Sequence, residues 1–125
     1  MYEILIVGGG PAGLTAAIYA ARAGKHVAVL ERGSTGGQII SAPLVENYPG
    51  IPSVSGTELA RQMTEQACTF GAEIVYTEAV GLEKTPAGFR VLCTDGVREA
   101  KTVILATGAA HRSLGLAAED ALTGC

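Results

Sequence analysis

The alternation of apolar and polar stretches predicts an α/β fold that begins with a strand, a helix and a second strand. Residues 2–7 form a short apolar run rich in β-branched side chains. Residues 12–23 are almost all Ala, Leu, Ile and Tyr, which favours a helix, and Gly24 is suited to cap its C-terminus. Residues 26–30 predict a second buried strand that ends at Glu31. These elements make a βαβ unit, for which a right-handed crossover is expected.

The middle of the chain predicts a long loop and then an amphipathic helix. Residues 33–54 are irregular and contain several Gly, Ser and Pro residues, and loops of this length in compact domains are usually functional. Ser55 and Glu58 form a capping box that starts the helix. Four apolar residues at helical spacing are expected to face the core: Leu59, Met63, Ala67 and Phe70. Cys68 lies on or beside this face and is expected to be buried.

The rest of the chain predicts one more parallel strand and a set of antiparallel strands. Residues 72–77 predict the parallel strand. Strand-like runs at 80–84, at 89–94 and from 97 onward are separated by turn signals such as Asp95-Gly96, which is typical of a β-meander. Residues 102–106 are apolar after the first and predict a strand that returns to the centre of the parallel sheet.

Composition and charge exclude several classes of function. The net charge of −3 argues against nucleic acid or an anionic membrane as the main partner, since both require a basic surface. No apolar run approaches the ~20 residues of a membrane span. Three widely spaced cysteines, Cys68, Cys93 and Cys125, show neither CxxC nor metal-ligand spacing, so no metal site is expected. Sparse cysteines fit a reducing cytosol, and a cytoplasmic location is expected.

The clearest chemical signal is a glycine-rich turn between the first strand and the first helix. Gly8, Gly10 and Gly13 form G-x-G-x-x-G in the βαβ context that supports dinucleotide binding. The first glycine permits a tight turn, the second a close approach to a pyrophosphate, and the third close packing of helix on strand. Pro11 and Ala12 lie at the start of the helix predicted over residues 12–23, whose free N–H groups would face the phosphates.

Glu31, at the end of the second strand, completes this signal. A carboxylate there can accept hydrogen bonds from a ribose 2′-hydroxyl and would repel a 2′-phosphate, so FAD or NAD(H) is expected rather than NADP(H). We place the neighbouring Arg32 in the same site. The pattern leaves the choice between FAD and NAD open, and a tight turn beside a solvated surface Glu is the structural alternative.

Several motifs, in the same order along the chain, resemble the thioredoxin reductase family. They are the run GGGPAGLTAAIYAARAG, Gly36-Gly37-Gln38, Glu46-Asn47-Tyr48-Pro49-Gly50 and Ala106-Thr107-Gly108-Ala109. The resemblance extends from residue 1 to about residue 123. It implies a Rossmann-like FAD-binding domain in which the β-meander accompanies the parallel sheet, and it implies FAD as the cofactor.

The resemblance also implies further cofactor contacts. Gly36, Gly37, Gln38 and Asn47 would approach the flavin end of FAD. Ala79 and Val80 would contact adenine through their backbone, and Ala106, Thr107 and Gly108 would lie near the pyrophosphate. The alternatives are a turn Asn47 beside a packing Tyr48, and a simple strand-end turn at Thr107-Gly108. His26 and His111 are interpreted as structural or solvated, and no catalytic residue is assigned.

The resemblance implies a reaction that needs more than this chain. In that family a hydride passes from NADPH to FAD, and electrons then pass to a CxxC disulfide that reduces thioredoxin. Residues 1–125 are expected to be the N-terminal part of a split FAD domain, without its C-terminal part and without the NADPH domain. We therefore expect an inactive chain with an unpaired sheet edge, which either the association of copies or pairing of the tail across chains would cover. For the parent enzyme we expect a homodimer.

Other functions stay open. A short natural protein that binds FAD or NAD without turnover is one. A related ferredoxin–NADP reductase without CxxC is another, and a CxxC in the absent middle domain would separate it from a disulfide reductase. A methyltransferase also uses a glycine-rich βαβ turn, but the motifs around Gln38 and Asn47 argue against it.

Overall fold

The structure, a computed structural model, describes residues 1–110, 112, 113, 115 and 119. Within the continuous range 1–110, two α-helices and a short 3₁₀ helix at Gly37–Ser41 accompany six strands. The helices are α1 (Pro11–Arg22) and α2 (Gly56–Thr69). The strands are β1 (Tyr2–Val7), β2 (Val27–Glu31), β3 (Glu73–Tyr76), β4 (Ala79–Thr85), β5 (Gly88–Cys93) and β6 (Gly96–Leu105).

The six strands form one mixed sheet in the order β3-β2-β1-β6-β5-β4. β1 pairs in parallel with both β2 and β6, and β2 pairs in parallel with β3. β5 pairs antiparallel with β4 on one side and with the first half of β6 on the other. The predicted α/β fold is confirmed, with a Rossmann-like parallel sheet, its βαβ unit and an antiparallel meander.

β6 changes partner along its length, and this corrects the prediction of two separate strands after residue 97. Residues 96–100 pair antiparallel with β5, and residues 100–105 pair parallel with β1. The strand does not break, because Ala100 belongs to both ladders and is fully buried. In the described part of the chain, residues 101–105 have a strand on one side alone. Leu105, in this segment, is 65% exposed.

The core lies on both faces of the sheet. One face packs against α1, where Ile6, Val27 and Val29 are fully buried together with Ala17. The other face holds a cluster that joins the parallel strands to the meander: Leu5, Ala28, Leu30, Val91 and Ala100. α2 packs beside α1 through Leu59 and Met63, which contact Leu14. Helix, sheet and meander therefore fix the carboxyl ends of β1, β2 and β6 relative to one another.

Two expected core residues on α2 are exposed, so those predictions are wrong. Leu59, Met63 and Ala67 are buried, but Cys68 is exposed and Phe70 is 44% exposed. Cys68 follows Ala67 by one residue, which turns it about 100° away from the buried face. Phe70 lies at the C-cap, where the helix has ended, and its ring stacks under the Arg22 guanidinium at 5.6 Å.

Ser55 is the N-cap of α2, as the sequence predicts. Its Oγ accepts the Glu58 N–H at 3.1 Å, whereas the Glu58 carboxylate bonds to Arg61 and Gln62 and does not turn back to Ser55. The hydrogen bonds from Arg61 and Gln62 lower the pKa of Glu58 to about 2. One half of the capping box therefore forms, and the Glu58 carboxylate instead makes an ion pair with Arg61 along the helix.

We expect Ser55→Ala to lower the free energy of unfolding by about 1 kcal/mol, because the first-turn N–H loses its acceptor. Urea denaturation followed by circular dichroism measures this change. Ser53→Ala is the matched control, since Ser53 is exposed and lies outside the helix. Equal unfolding midpoints for the two variants would show that the cap contributes nothing measurable.

Candidate functional site

The glycine-rich turn connects β1 to α1, and the surroundings that favour glycine differ among its three motif positions. A Cβ on Gly8, where φ is +108°, would lie 2.2 Å from the Ala106 carbonyl oxygen. A Cβ on Gly13 would lie 1.9 Å from the Gly8 carbonyl oxygen. A Cβ on Gly10 would find its nearest atom at 3.8 Å, the Gly37 Cα. The fold itself requires the first and third glycines, whereas the second leaves room for another group.

The N-terminus of α1 is open and positively polarised. Gly10 is its N-cap and supplies no side-chain hydrogen bond, and Pro11 begins the helix with a φ suited to that position. The first turn contains no acidic residue, so the positive end of the helix dipole is not neutralised from within. Free N–H groups at such an end bind anions such as phosphate. Pro11 and Ala12 lie at this end of the helix, and their contact with a pyrophosphate stays a prediction.

Glu31 is held beside this turn by two backbone groups. Its Oε2 accepts the Gly9 N–H at 2.8 Å, and its Oε1 accepts the Gly33 N–H at 2.9 Å. Each carboxylate oxygen has a further lone pair that can accept a hydroxyl hydrogen. The carboxylate is thus oriented at the carboxyl end of β2, where a ribose with two adjacent hydroxyls could be bound.

Gly9 and Gly33 belong to the candidate site, because their N–H groups orient Glu31, and the sequence prediction missed them. They act through their backbone N–H groups, which every residue except proline carries, so their residue type gives no signal. The structure places Arg32, which was predicted for this site, with its guanidinium 3.9 Å from the Glu78 carboxylate and its side chain 79% exposed. Arg32 stays a prediction.

The segment Gly36-Gly37-Gln38 lies against the glycine turn. The Gly36 N–H donates to the Gly9 carbonyl at 2.8 Å, and a Cβ on Gly37 would lie 3.3 Å from the Gly10 Cα. Both glycines have positive φ, 118° and 57°, which favours glycine at these positions. Gln38 closes the arrangement, since its Nε2 donates to the Ala109 carbonyl at 2.6 Å.

The segment 106–108 lies on the other side of the turn. The Ala106 N–H continues the β1–β6 ladder by donating to the Val7 carbonyl at 2.8 Å. The Ala106 carbonyl and the Thr107 Cα face Gly8 closely, and Gly108 has a φ of 72°. The structure therefore brings together three segments that are far apart in the sequence: 8–13, 36–38 and 106–109.

Three predicted residues lie in other surroundings. Asn47 is exposed, in the loop whose Val45 pairs with Val54. Val80 is 63% exposed, and Ala79 packs against the cluster between sheet and meander. Neither the flavin role of Asn47 nor the adenine role of Ala79 and Val80 is tested by these positions, and both stay predictions. His111 and Cys125 lie outside the described residues.

The site offers binding groups of a definite kind. Backbone N–H groups and a helix N-terminus suit an anion, and an oriented carboxylate beside them suits vicinal hydroxyls. Within the described residues, no cluster of three or more His, Cys, Asp or Glu side chains could hold a metal ion. No helix in that part of the chain is long and apolar enough to cross a membrane. The site can therefore bind an anion next to a pair of adjacent hydroxyl groups.

Comparisons with known proteins agree with the motif resemblance. The family model described as pyridine nucleotide-disulphide oxidoreductase matches residues 2–124. A thioredoxin reductase of Listeria monocytogenes is 40% identical over 99% of this chain and 39% of its own length. One from Treponema pallidum is 43% identical over 98% of this chain and 40% of its own.

Solved structures give the same result. The crystal structure of Lactococcus lactis thioredoxin reductase superimposes with a TM-score of 0.90 and 38% identity. The alignment covers 96% of this chain and 40% of that one. The chain therefore spans about two fifths of the length of the relatives it matches.

Proposed function

The chain belongs to the pyridine nucleotide-disulphide oxidoreductase family, and on that premise we propose that it binds FAD as the dinucleotide-binding part of a thioredoxin reductase-like enzyme. One observation carries the proposal. The space next to Gly10, at the open N-terminus of α1, lies beside a Glu31 carboxylate that two backbone N–H groups orient. The chemistry of these groups fits the phosphates and a ribose of FAD.

Each part of the site is assigned to a part of the cofactor. The N-terminus of α1, from Gly10 to Gly13, would hold the pyrophosphate, with 106–108 beside it, and Glu31 would bind the adenosine ribose. Arg32, Ala79 and Val80 would border the adenosine half. Gly36, Gly37, Gln38 and Asn47 would approach the flavin. FAD, when bound, supplies the two-electron redox chemistry, and the residues of this chain bind and orient it.

We extend the proposal to the complete enzyme. Its reaction would carry electrons from NADPH through FAD to a CxxC disulfide and then to a thioredoxin-like protein. Residues 1–125 would be the N-terminal part of a split FAD domain, and the other part and the NADPH domain would be needed for turnover. A cytoplasmic homodimer is proposed for that enzyme. The support is the match to thioredoxin reductases over about two fifths of their length.

NAD(H) is the second candidate ligand, because the position of Glu31 suits any dinucleotide with a free 2′-hydroxyl. The two are separated by adding FAD and NADH in turn to the purified chain. Flavin fluorescence measures the binding of FAD, and displacement of FAD by NADH measures the binding of NADH. FAD binding that excess NADH does not reverse supports the proposal, whereas binding of NADH alone overturns it.

We expect Glu31→Gln to weaken FAD binding about tenfold or more. The amide NH₂ would face the N–H of Gly9 or Gly33, so the side chain would turn away or lose one partner. Titration of flavin fluorescence measures the dissociation constant. Glu83→Gln, the same charge change on an exposed side chain of β4, is the matched control. Equal affinities for both variants would remove Glu31 from the site.

A further inference from the structure

A second group of polar side chains links the parallel sheet to the meander. Its centre is Thr77, which follows β3 at the point where the chain leaves the parallel sheet. Among the residues that the structure describes, Thr77 is the only buried one with a polar side chain, at 6% exposure. Its Oγ1 donates to Asp95 Oδ1 and lies 3.5 Å from Thr94 Oγ1. A buried hydroxyl with a fixed acceptor fixes the direction of the chain at that point.

Asp95, in the turn between β5 and β6, is itself held by Arg98. The guanidinium donates from Nη1 to Oδ1 and from Nη2 to Oδ2, both at 2.8 Å, which is the bidentate geometry of strong ion pairs. The hydrogen bonds from Arg98 and Thr77 lower the pKa of Asp95 to about 2. Asp95 is therefore ionised at neutral pH and cannot rotate without losing several bonds.

Backbone hydrogen bonds carry this fixation to the nucleotide site. The Thr77 N–H donates to the Glu31 carbonyl at 2.9 Å, one residue beyond the β2–β3 ladder. The Thr94 N–H donates to the Glu78 carbonyl at 3.0 Å, directly before Ala79. The side-chain network thus fixes the end of β2, which bears the ribose-binding carboxylate, and the start of β4.

We propose that Thr77, Asp95 and Arg98 are positioning residues for the adenosine half of the bound dinucleotide, an inference that rests on the proposed function. They do not touch the ligand. They hold Glu31 and the backbone of 79–80 at a fixed separation, so that ribose and adenine meet preformed partners. Groups that orient direct ligands in this way commonly contribute measurably to affinity. The flavin side of the site, at 36–38, does not depend on this network.

The test compares affinity with stability in variants of Thr77. Thr77→Val keeps the size of the side chain and removes the hydroxyl, whereas Thr77→Ser keeps the hydroxyl and removes a buried methyl. We expect the Val variant to bind both FAD and ADP about tenfold more weakly. The Ser variant should bind within about twofold of wild type, although its unfolding midpoint falls. ADP lacks the flavin, so an equal loss for FAD and ADP locates the effect in the ADP half of the dinucleotide, away from the flavin.

Asp95→Asn is expected to weaken both ligands to a similar extent, because the bidentate charge pair with Arg98 is lost. Glu83→Gln is the control on the same meander, since Glu83 pairs with Arg90 at 3.3 Å on an exposed surface. Titrations at 10 °C, with folding checked by circular dichroism, separate affinity from unfolding.

Three outcomes would overturn the inference, and they differ in what else they overturn. Thr77→Val and Asp95→Asn could bind as tightly as wild type, and the FAD assignment would then stand without the positioning role. Thr77→Ser could lose as much affinity as Thr77→Val, which would assign the effect to packing of the methyl group. A wild-type chain that binds neither FAD nor ADP would reject the proposed function together with this inference.

Discussion

Gly13→Ala is expected to destabilise the chain by about 3 kcal/mol or more, enough to unfold a large fraction of a marginally stable domain. The added Cβ would lie 1.9 Å from the Gly8 carbonyl oxygen and 3.4 Å from the Ile6 side chain. The Gly8 oxygen belongs to the tight turn after β1, so it cannot move without shifting the turn or α1. Urea denaturation, or a thermal melt, measures the loss.

Gly33→Ala is the matched control for this experiment. A Cβ there would find its nearest atom, Glu31 Oε1, at 3.8 Å, and the position lies outside the left-handed region. We expect its free energy of unfolding to stay within about 1 kcal/mol of wild type. If Gly13→Ala and Gly33→Ala have the same unfolding midpoint, the close approach of α1 to the turn is not a requirement of the fold.

Gly10→Ala is expected to have the opposite effect from Gly13→Ala: the chain stays folded, but its affinity for FAD falls greatly. The nearest protein atom to the added Cβ is 3.8 Å away, and Gly10 already has a φ of −75° that alanine adopts readily. Stability should therefore stay within about 1 kcal/mol of wild type. The methyl group would occupy space that the pyrophosphate needs, and we expect binding to weaken about a hundredfold.

Flavin fluorescence titration gives the affinity of the Gly10 variant, and its urea curve gives the stability. Unchanged affinity would mean that the dinucleotide does not approach the N-terminus of α1 as proposed. A large loss of stability would mean that Gly10, like Gly13, is present for packing. The two glycine variants together therefore distinguish the structural glycine of the turn from the one that we assign to the ligand.

Most of the fold could be predicted because its elements differ in hydrophobic period. α1 is almost wholly apolar and β2 is a continuous buried run, so both stand out without knowledge of their neighbours. The continuity of β6 could not be predicted. It depends on Ala100, which pairs with Phe89 of β5 and with Tyr2 of β1, and nothing in its local sequence marks a change of partner.

The C-terminal end of α2 shows a second limit on predicting buried residues from hydrophobic periodicity. Leu59, Met63 and Ala67 follow the spacing of a buried face and are buried. Phe70 fits the same spacing, but the helix ends at Thr69 and Gly71, with a φ of 97°, turns the chain. A hydrophobic pattern therefore cannot by itself give the residue at which a face ends.

The candidate site could be predicted where side-chain type matters and not where the backbone acts. Glu31 and the three glycines of the turn carry their signal in their residue type. The N–H groups of Gly9 and Gly33 that orient Glu31 carry none. Thr77 and Asp95 are 18 residues apart, and Asp95-Gly96 was interpreted as a turn signal alone. Which residue would meet the Asp95 carboxylate depends on how the segment that follows β3 packs against the turn between β5 and β6, and the local sequence does not give that.

The pairing of β1 with β6 determines when the sheet can be completed during synthesis of the chain. β1 occupies the middle of the sheet, yet its neighbour on one side begins with the contact between Tyr2 and Ala100. A ribosome that adds 5–20 residues per second needs roughly 5–20 s to produce the residues between them. During part of that interval β1 lies outside the ribosome without its neighbour β6, and an apolar strand with one unpaired side favours chaperone binding and intermolecular strand pairing.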